Sequence, residues 1–150
     1  MKFFEKLFLF FPKRYRSLPD NLREGRLGED YAARYLLRHG YDIEERNFIS
    51  GKNEIDIIAK KKNTYVFCEV KTRVQDFGKD APFGRPASAV DTDKQRHLIA
   101  AATTFERRHA REGCLYRFDV IEVYMTPNLK LSQICHMENA FMRRSRPYRK

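Results

Sequence analysis

Apolar and polar positions alternate along this chain with two different periods, and the changes of period mark its elements. Between Gly25 and Arg38 the period is helical: at roughly 100° per residue, Ala32, Ala33, Leu36 and Leu37 fall on one side and Asp30, Arg34 and Arg38 form a charged stripe on the other. Two strand-like runs follow, 54–58 (Glu-Ile-Asp-Ile-Ile) and 65–71 (Tyr-Val-Phe-Cys-Glu-Val-Lys), separated by the polar segment 60–64. Asp91 suits a helix cap, and Leu98, Ala101, Ala102 and Phe105 continue a helical pattern from there to about His109. Residues 117–124 read as a further strand. The predicted order is helix, three strands, helix, strand and a short C-terminal element.

Acids break this pattern where it should be apolar. Asp56 and Glu69 each sit inside a strand-like run, and an unpaired charge withdrawn from water costs several kcal/mol. If Lys62 and Asn63 form the tip of a hairpin, Lys61 faces Thr64, and counting back along both strands sets Asp56 opposite Glu69, about 5 Å away. Side chains alternate, so Glu69 and Lys71 share a side with Phe67, whereas Val66, Cys68 and Val70 point to the other. Two carboxylates that close repel, and a shared proton or a divalent cation relieves them. Oxygen ligands favour Mg2+ or Mn2+, and a neighbouring lysine can orient an attacking water, which together equip a site for phosphodiester hydrolysis. The same spacing also suits a salt-bridged cluster on a half-exposed sheet face.

Glu29 is the third acid out of place, in the middle of the apolar face of the first helix. One reading completes the carboxylate cluster, directly or through water; the other is an early-turn acid favoured by the helix dipole. Asp119 also sits among apolar residues, and pairing with Arg117, Arg73 or Lys94 in a structural role accounts for it better than catalysis does.

The chain resembles the bacterial YraN-like proteins, which are grouped with the PD-(D/E)XK nuclease superfamily and are similar to archaeal Holliday-junction resolvases. The resemblance is carried by Gly25-Arg-Leu-Gly28-Glu29, Gly40-Tyr41, Arg46-Asn47-Phe48, Glu54-Ile55-Asp56-Ile57-Ile58-Ala59, Phe67-Cys68-Glu69-Val70-Lys71-Thr72-Arg73, Lys94, Arg117-Phe118-Asp119-Val120 and Asn139-Ala140-Phe141, across about residues 22 to 141. Asn53 and Cys68 stand where the family usually has Gly and Val, and Ile55 where the superfamily often has Pro. The resemblance implies an α/β, restriction-endonuclease-like mixed sheet flanked by helices. It makes Asp56 and Glu69 metal ligands with the Val70 carbonyl as a third, Lys71 the water-orienting base and Glu29 the helix acid. DNA, including branched or flap DNA, is the implied substrate, and a homodimer the implied assembly.

Length and charge refine this picture. The chain suits one domain burying roughly 70% of its unfolded surface, divided here into a phenylalanine-rich basic N-terminal extension (1–20), a nuclease-like domain (21–142) and a basic C-terminal tail (143–150). The two terminal segments contribute +3 and +5 of the formal net charge of +10, leaving +2 for the middle. A basic tail gathers phosphates without reading sequence; a solubilising tail has the same composition. Three cysteines without a Cys-x-x-Cys pair point to a reducing cytoplasm, and His109, Cys114, Cys135 and His136 lack the spacing of a zinc site.

The N-terminal segment is too short to span a bilayer and is interrupted by Glu5 and Lys6, so it reads as docking on the core, on a partner or, least favoured, on a membrane surface. Residues 75–86 form a Gly/Pro-punctuated candidate lid in which Phe77 or Phe83 could stack on a base. Lys94, Arg73, Lys79 and Arg85 are the candidate nucleic-acid contacts. A magnesium- or manganese-dependent endodeoxyribonuclease is the leading expectation. A non-catalytic nucleic-acid-binding module and a partner- or membrane-docking protein are its rivals.

Overall fold

The computed structural model describes residues 15–75, 90–109 and 113–143. In chain order these form α1 (Asp20–Arg38), β1 (Asp42–Ser50), β2 (Asn53–Lys61), β3 (Thr64–Val74), α2 (Thr92–His109), β4 (Leu115–Met125) and β5 (Leu131–Phe141). The strands make one sheet in the order β1-β2-β3-β4-β5. All neighbours are antiparallel except β3 and β4, which are parallel and joined by the crossover that contains α2. The fold is therefore the expected α/β one, a mixed five-stranded sheet with two helices, consistent with a restriction-endonuclease-like fold.

Each helix covers one face, as the apolar spacing requires. Leu27, Ala32, Ala33 and Leu36 of α1 pack on Ile57, Val66, Cys68, Ile121 and Val123. On the other face Leu98, Ala101, Ala102 and Phe105 of α2 pack on Ile55, Ile58, Phe67, Phe118 and Val120. α1 approaches β3 closely at Gly28, where a Cβ would stand 1.8 Å from Thr72 Oγ1. A side chain there would force Thr72 or the helix to shift, and the close approach sets the adjacent Glu29 beside the sheet.

α1 starts five residues before Gly25, after Pro19. Its first turns expose Asn21 and Leu22, so no apolar periodicity marked them. The helix ends at Gly40 with φ +81°, where the Gly40 and Tyr41 amides donate to the carbonyls of Leu37 and Leu36. Asp91 caps α2 as expected, accepting the Lys94 amide at 2.8 Å.

Two expectations need correction. Asp30, placed in the charged stripe opposite the apolar face, is itself buried: it is 3% exposed, and Arg46 reaches it at 2.7 Å. Arg34 and Arg38 do lie in solvent; Asp30 differs because β1 delivers a cation beneath the helix, which helical spacing cannot reveal. The short C-terminal element is an eleven-residue edge strand, β5, whose mostly half-exposed pattern carries little apolar signal. The terminal segments 1–14 and 144–150 and residues 76–86 of the candidate lid, with Phe77, Lys79, Phe83 and Arg85, lie outside the described residues.

Candidate functional site

The hairpin has the register that the count requires. Lys61 pairs with Thr64, Lys62 takes a left-handed φ of 54° at the tip, and the ladder runs to Ile57 opposite Cys68. One step further, Asp56 comes opposite Glu69, and there the Asp56 side chain takes over a hydrogen bond from the backbone: Oδ2 accepts the Val70 amide at 2.7 Å.

β1 and β2 also turn over at this point. Residues two apart in a strand normally share a face. Yet Ile55 packs with α2 while Ile57 packs with α1, and on β1 Phe48 faces α2 while Arg46 meets Asp30 of α1. Asn47, between the register pairs Arg46/Ile57 and Phe48/Ile55, has φ 51°. A left-handed residue in β1 thus stands across from Asp56 and accompanies the change of face.

Glu69 and Lys71 lie on the α2 side with Phe67, as alternation predicts. Lys94, from the first turns of α2, places Nζ 3.3 Å from Glu69 Oε2. The contact is close enough for an ion pair but out of line for a hydrogen bond, so among the described residues this buried oxygen has no aligned donor. Burial raises the Glu69 carboxyl above its usual range; Lys94, a hydrogen bond with Asp56 and the charge of Lys71 offset this only in part. Asp56 is pushed up to about 7, first by burial, then by repulsion from Glu69 and, more weakly, from Glu29, against the opposing pull of the Val70 amide and Lys94. Near neutral pH the pair therefore carries less negative charge than two ordinary carboxylates.

Glu29 approaches from α1 and is held on one oxygen. Its Oε2 accepts Asn47 Nδ2 at 3.0 Å and Arg26 NH1 at 3.2 Å, with Arg46 NH2 at 3.7 Å. Among the described residues no group of three or more His, Cys, Asp or Glu side chains is placed to hold a metal ion, so Glu29 does not join Asp56 and Glu69 as a direct third ligand. Two carboxylates, supplemented by a main-chain carbonyl such as that of Val70 and by water, remain a donor set that suits Mg2+, which is commonly bound through one or two carboxylates and retains several waters. The buried Glu69 oxygen without an aligned donor fits a cation in the same way.

The remaining candidates are spread out. Lys94 lies on Glu69, and Arg73 approaches Glu122 at 3.8 Å. Asp119 lies on the α1 face, where Arg117 donates to it twice at 2.8 Å and the Asn139 amide once at 3.1 Å, the pairing expected of a structural acid. His136 Nε2, 2.7 Å from Asp119, was not foreseen. It stands apart from His109, which stacks on Phe105, so no zinc site forms from them. Arg46 and Asn47 were also missed as site residues; the available signal was an asparagine within a strand, where that residue is disfavoured.

Comparison with known proteins places the chain among relatives. The sequence profile of the Uncharacterised protein family UPF0102 matches residues 28–123. The chain belongs to this family. UPF0102 proteins of Caldicellulosiruptor saccharolyticus and Chloroherpeton thalassium are 45% and 44% identical to it over 122 and 105 residues, 81% and 70% of this chain and 99% and 78% of those proteins. The UPF0102 protein of Porphyromonas gingivalis is 37% identical over 124 residues, 83% of this chain and 87% of that protein. The region matched by the UPF0102 profile contains Glu29, Asn47, Asp56, Glu69, Lys71 and Lys94, and stops within β4. No helix among the described residues is long and apolar enough to cross a membrane.

Proposed function

We propose that this protein is a Mg2+- or Mn2+-dependent endonuclease that hydrolyses DNA phosphodiester bonds. The observation that carries the reading is the approach of two half-buried carboxylates, Asp56 and Glu69, whose proton affinities are both raised, first by desolvation. Such a pair is destabilising as built and becomes favourable once a dication neutralises it.

Asp56 and Glu69, with the Val70 carbonyl, would hold the ion, and the Val70 amide keeps Asp56 in place while they do so. A bound dication supplies polarisation of a phosphoryl oxygen and a lowered pKa for its water. Lys71, on the Glu69 side of β3, orients the attacking water and offsets charge that develops on the phosphate. Lys94 lends Glu69 a positive charge and, with a dication held at the site, would be the cation placed to meet a DNA phosphate.

Cleavage of labelled single-stranded, duplex, flap and four-way-junction DNA, with Mg2+ or Mn2+, tests this. Cutting is expected to be lost in Glu69→Gln, Lys71→Ala and EDTA; cutting that survives both substitutions would assign the activity to another site or protein. One observation favours a second reading, a nucleic-acid-binding module without catalysis: Lys94 already gives Glu69 a cation. Salt-sensitive DNA binding without cutting, equal in wild type and Glu69→Gln, would select it.

A further inference from the structure

We infer that Asn47 is a positioning residue for the site, holding Glu29 beside Asp56 through its side chain while its left-handed backbone turns β1 over opposite Asp56. The inference rests on the metal-dependent reading above and adds to it a residue that makes no contact with the ion.

The carboxamide is used at both ends. Nδ2 donates to Glu29 Oε2 at 3.0 Å, and Oδ1 accepts from Arg26 NH1 at 2.7 Å. Arg26 NH1 also reaches Glu29 Oε2 at 3.2 Å, which closes a three-membered ring of contacts between α1 and β1. Arg46, the preceding residue, is fixed by the buried Asp30 at 2.7 Å and brings a second cation within 3.7 Å of the same Glu29 oxygen. The contacts converge on Oε2, while Oε1 takes none of them. That oxygen would be the one to reach, through water, an ion held by Asp56 and Glu69, since among the described residues no direct third carboxylate is in place.

The residue type follows from these demands. A φ of 51° excludes β-branched and bulky side chains and admits Gly, Asn and Asp. Glycine would give the backbone without the amide. Aspartate would add a third negative charge next to Glu29 and Asp56. Asparagine alone supplies the conformation, a donor for Glu29 and an acceptor for Arg26.

Asn47→Gly separates the side chain from the backbone, because glycine keeps the left-handed conformation and hence the fold. Mn2+ binding by calorimetry, with the Mn2+ EPR spectrum, is compared across wild type, Asn47→Gly, Glu29→Gln and the double variant, alongside thermal melting. Asn47→Gly is expected to weaken Mn2+ binding about tenfold, the scale of an outer-shell partner, and to change the spectrum as Glu29→Gln does. The double variant should bind no more weakly than either single one, since both remove the same contact.

Should Asn47→Gly unfold, Arg26→Ala, on a half-exposed helix position, is the substitute, with a loss of about threefold expected. Wild-type affinity in Asn47→Gly, or losses that add in the double variant, would overturn the inference. If Asp56→Asn abolishes Mn2+ binding in either case, the metal reading survives without Asn47; if wild type binds no Mn2+, both fall.

Discussion

Asp119, fully buried on the α1 face of the sheet, and the half-buried pair Asp56 and Glu69 are satisfied to different degrees. Asp119 is fully enclosed, yet Arg117 donates to both its oxygens, the Asn139 amide adds a third hydrogen bond and His136 stands at 2.7 Å. Among the described residues Asp56 has one main-chain amide, Glu69 has an obliquely placed lysine and the two bond each other, and both carboxyls are raised above their usual range. Burial by itself therefore does not identify a functional acid. An acid whose lone pairs are filled locks two strands together, whereas one left short of donors is ready for a ligand.

The contrast breaks most visibly by removing the satisfied acid. Asp119→Ala removes the acceptor of two Arg117 hydrogen bonds and of the Asn139 amide at a fully buried position, leaving Arg117 only Glu138 and Tyr41, and is expected to lower unfolding stability by about 3 kcal/mol in urea titration. A loss below about 1 kcal/mol would mean that the bidentate pair is not a structural lock. Gly28→Ala comes next: its methyl group meets Thr72, and a destabilisation of about 1–3 kcal/mol is expected as α1 is pushed off β3. Glu29 moves with α1, so Mn2+ affinity should fall in the same variant.

Substitution at the unsatisfied pair has the opposite sign. An acid whose proton affinity is higher folded than unfolded binds more protons in the native state between the two pKa values, so stability falls as pH rises through that window. For Asp56 the window runs from about 4, the ordinary carboxylate value, to about 7. Asp56→Asn is then expected to be more stable than wild type by about 1–2 kcal/mol at pH 8, with the gain gone near pH 4. Saturating Mg2+ should close the gap at pH 8 by stabilising wild type alone. A variant less stable than wild type at pH 8 would place this pair in the same class as Asp119.

The smallest effect sharpens the comparison further. Lys94→Ala removes the cation nearest Glu69, and because that lysine is partly exposed the expected loss is less than about 1 kcal/mol. A loss of several kcal/mol would show that Lys94 satisfies Glu69 as Arg117 satisfies Asp119.

Some of these distinctions were legible from the chain. The hairpin register follows from alternation and a polar tip, and from it alone Asp56 comes opposite Glu69. The pairing of Asp119 with Arg117 was within reach because two residues apart on a strand share a face. Asp30 misled because a helical wheel records the angle of a side chain and not which strand passes beneath it. Asn47 was hidden for a related reason: its backbone departs from the strand conformation, and the two-residue alternation used to assign faces fails at that residue.

The sequence by itself determined the order of elements, the two apolar helix faces, the hairpin register and the family. Those properties depend on neighbours in the chain or on a regular period, and both are written locally. Tertiary structure decided which acids are satisfied. Asn47 and Arg46 reach Glu29 and Asp30 from β1, Lys94 reaches Glu69 from α2, and His136 reaches Asp119 from β5. Each of these contacts joins elements with no common period, and the field at a carboxylate is set by whatever groups the fold brings within a few ångströms of it.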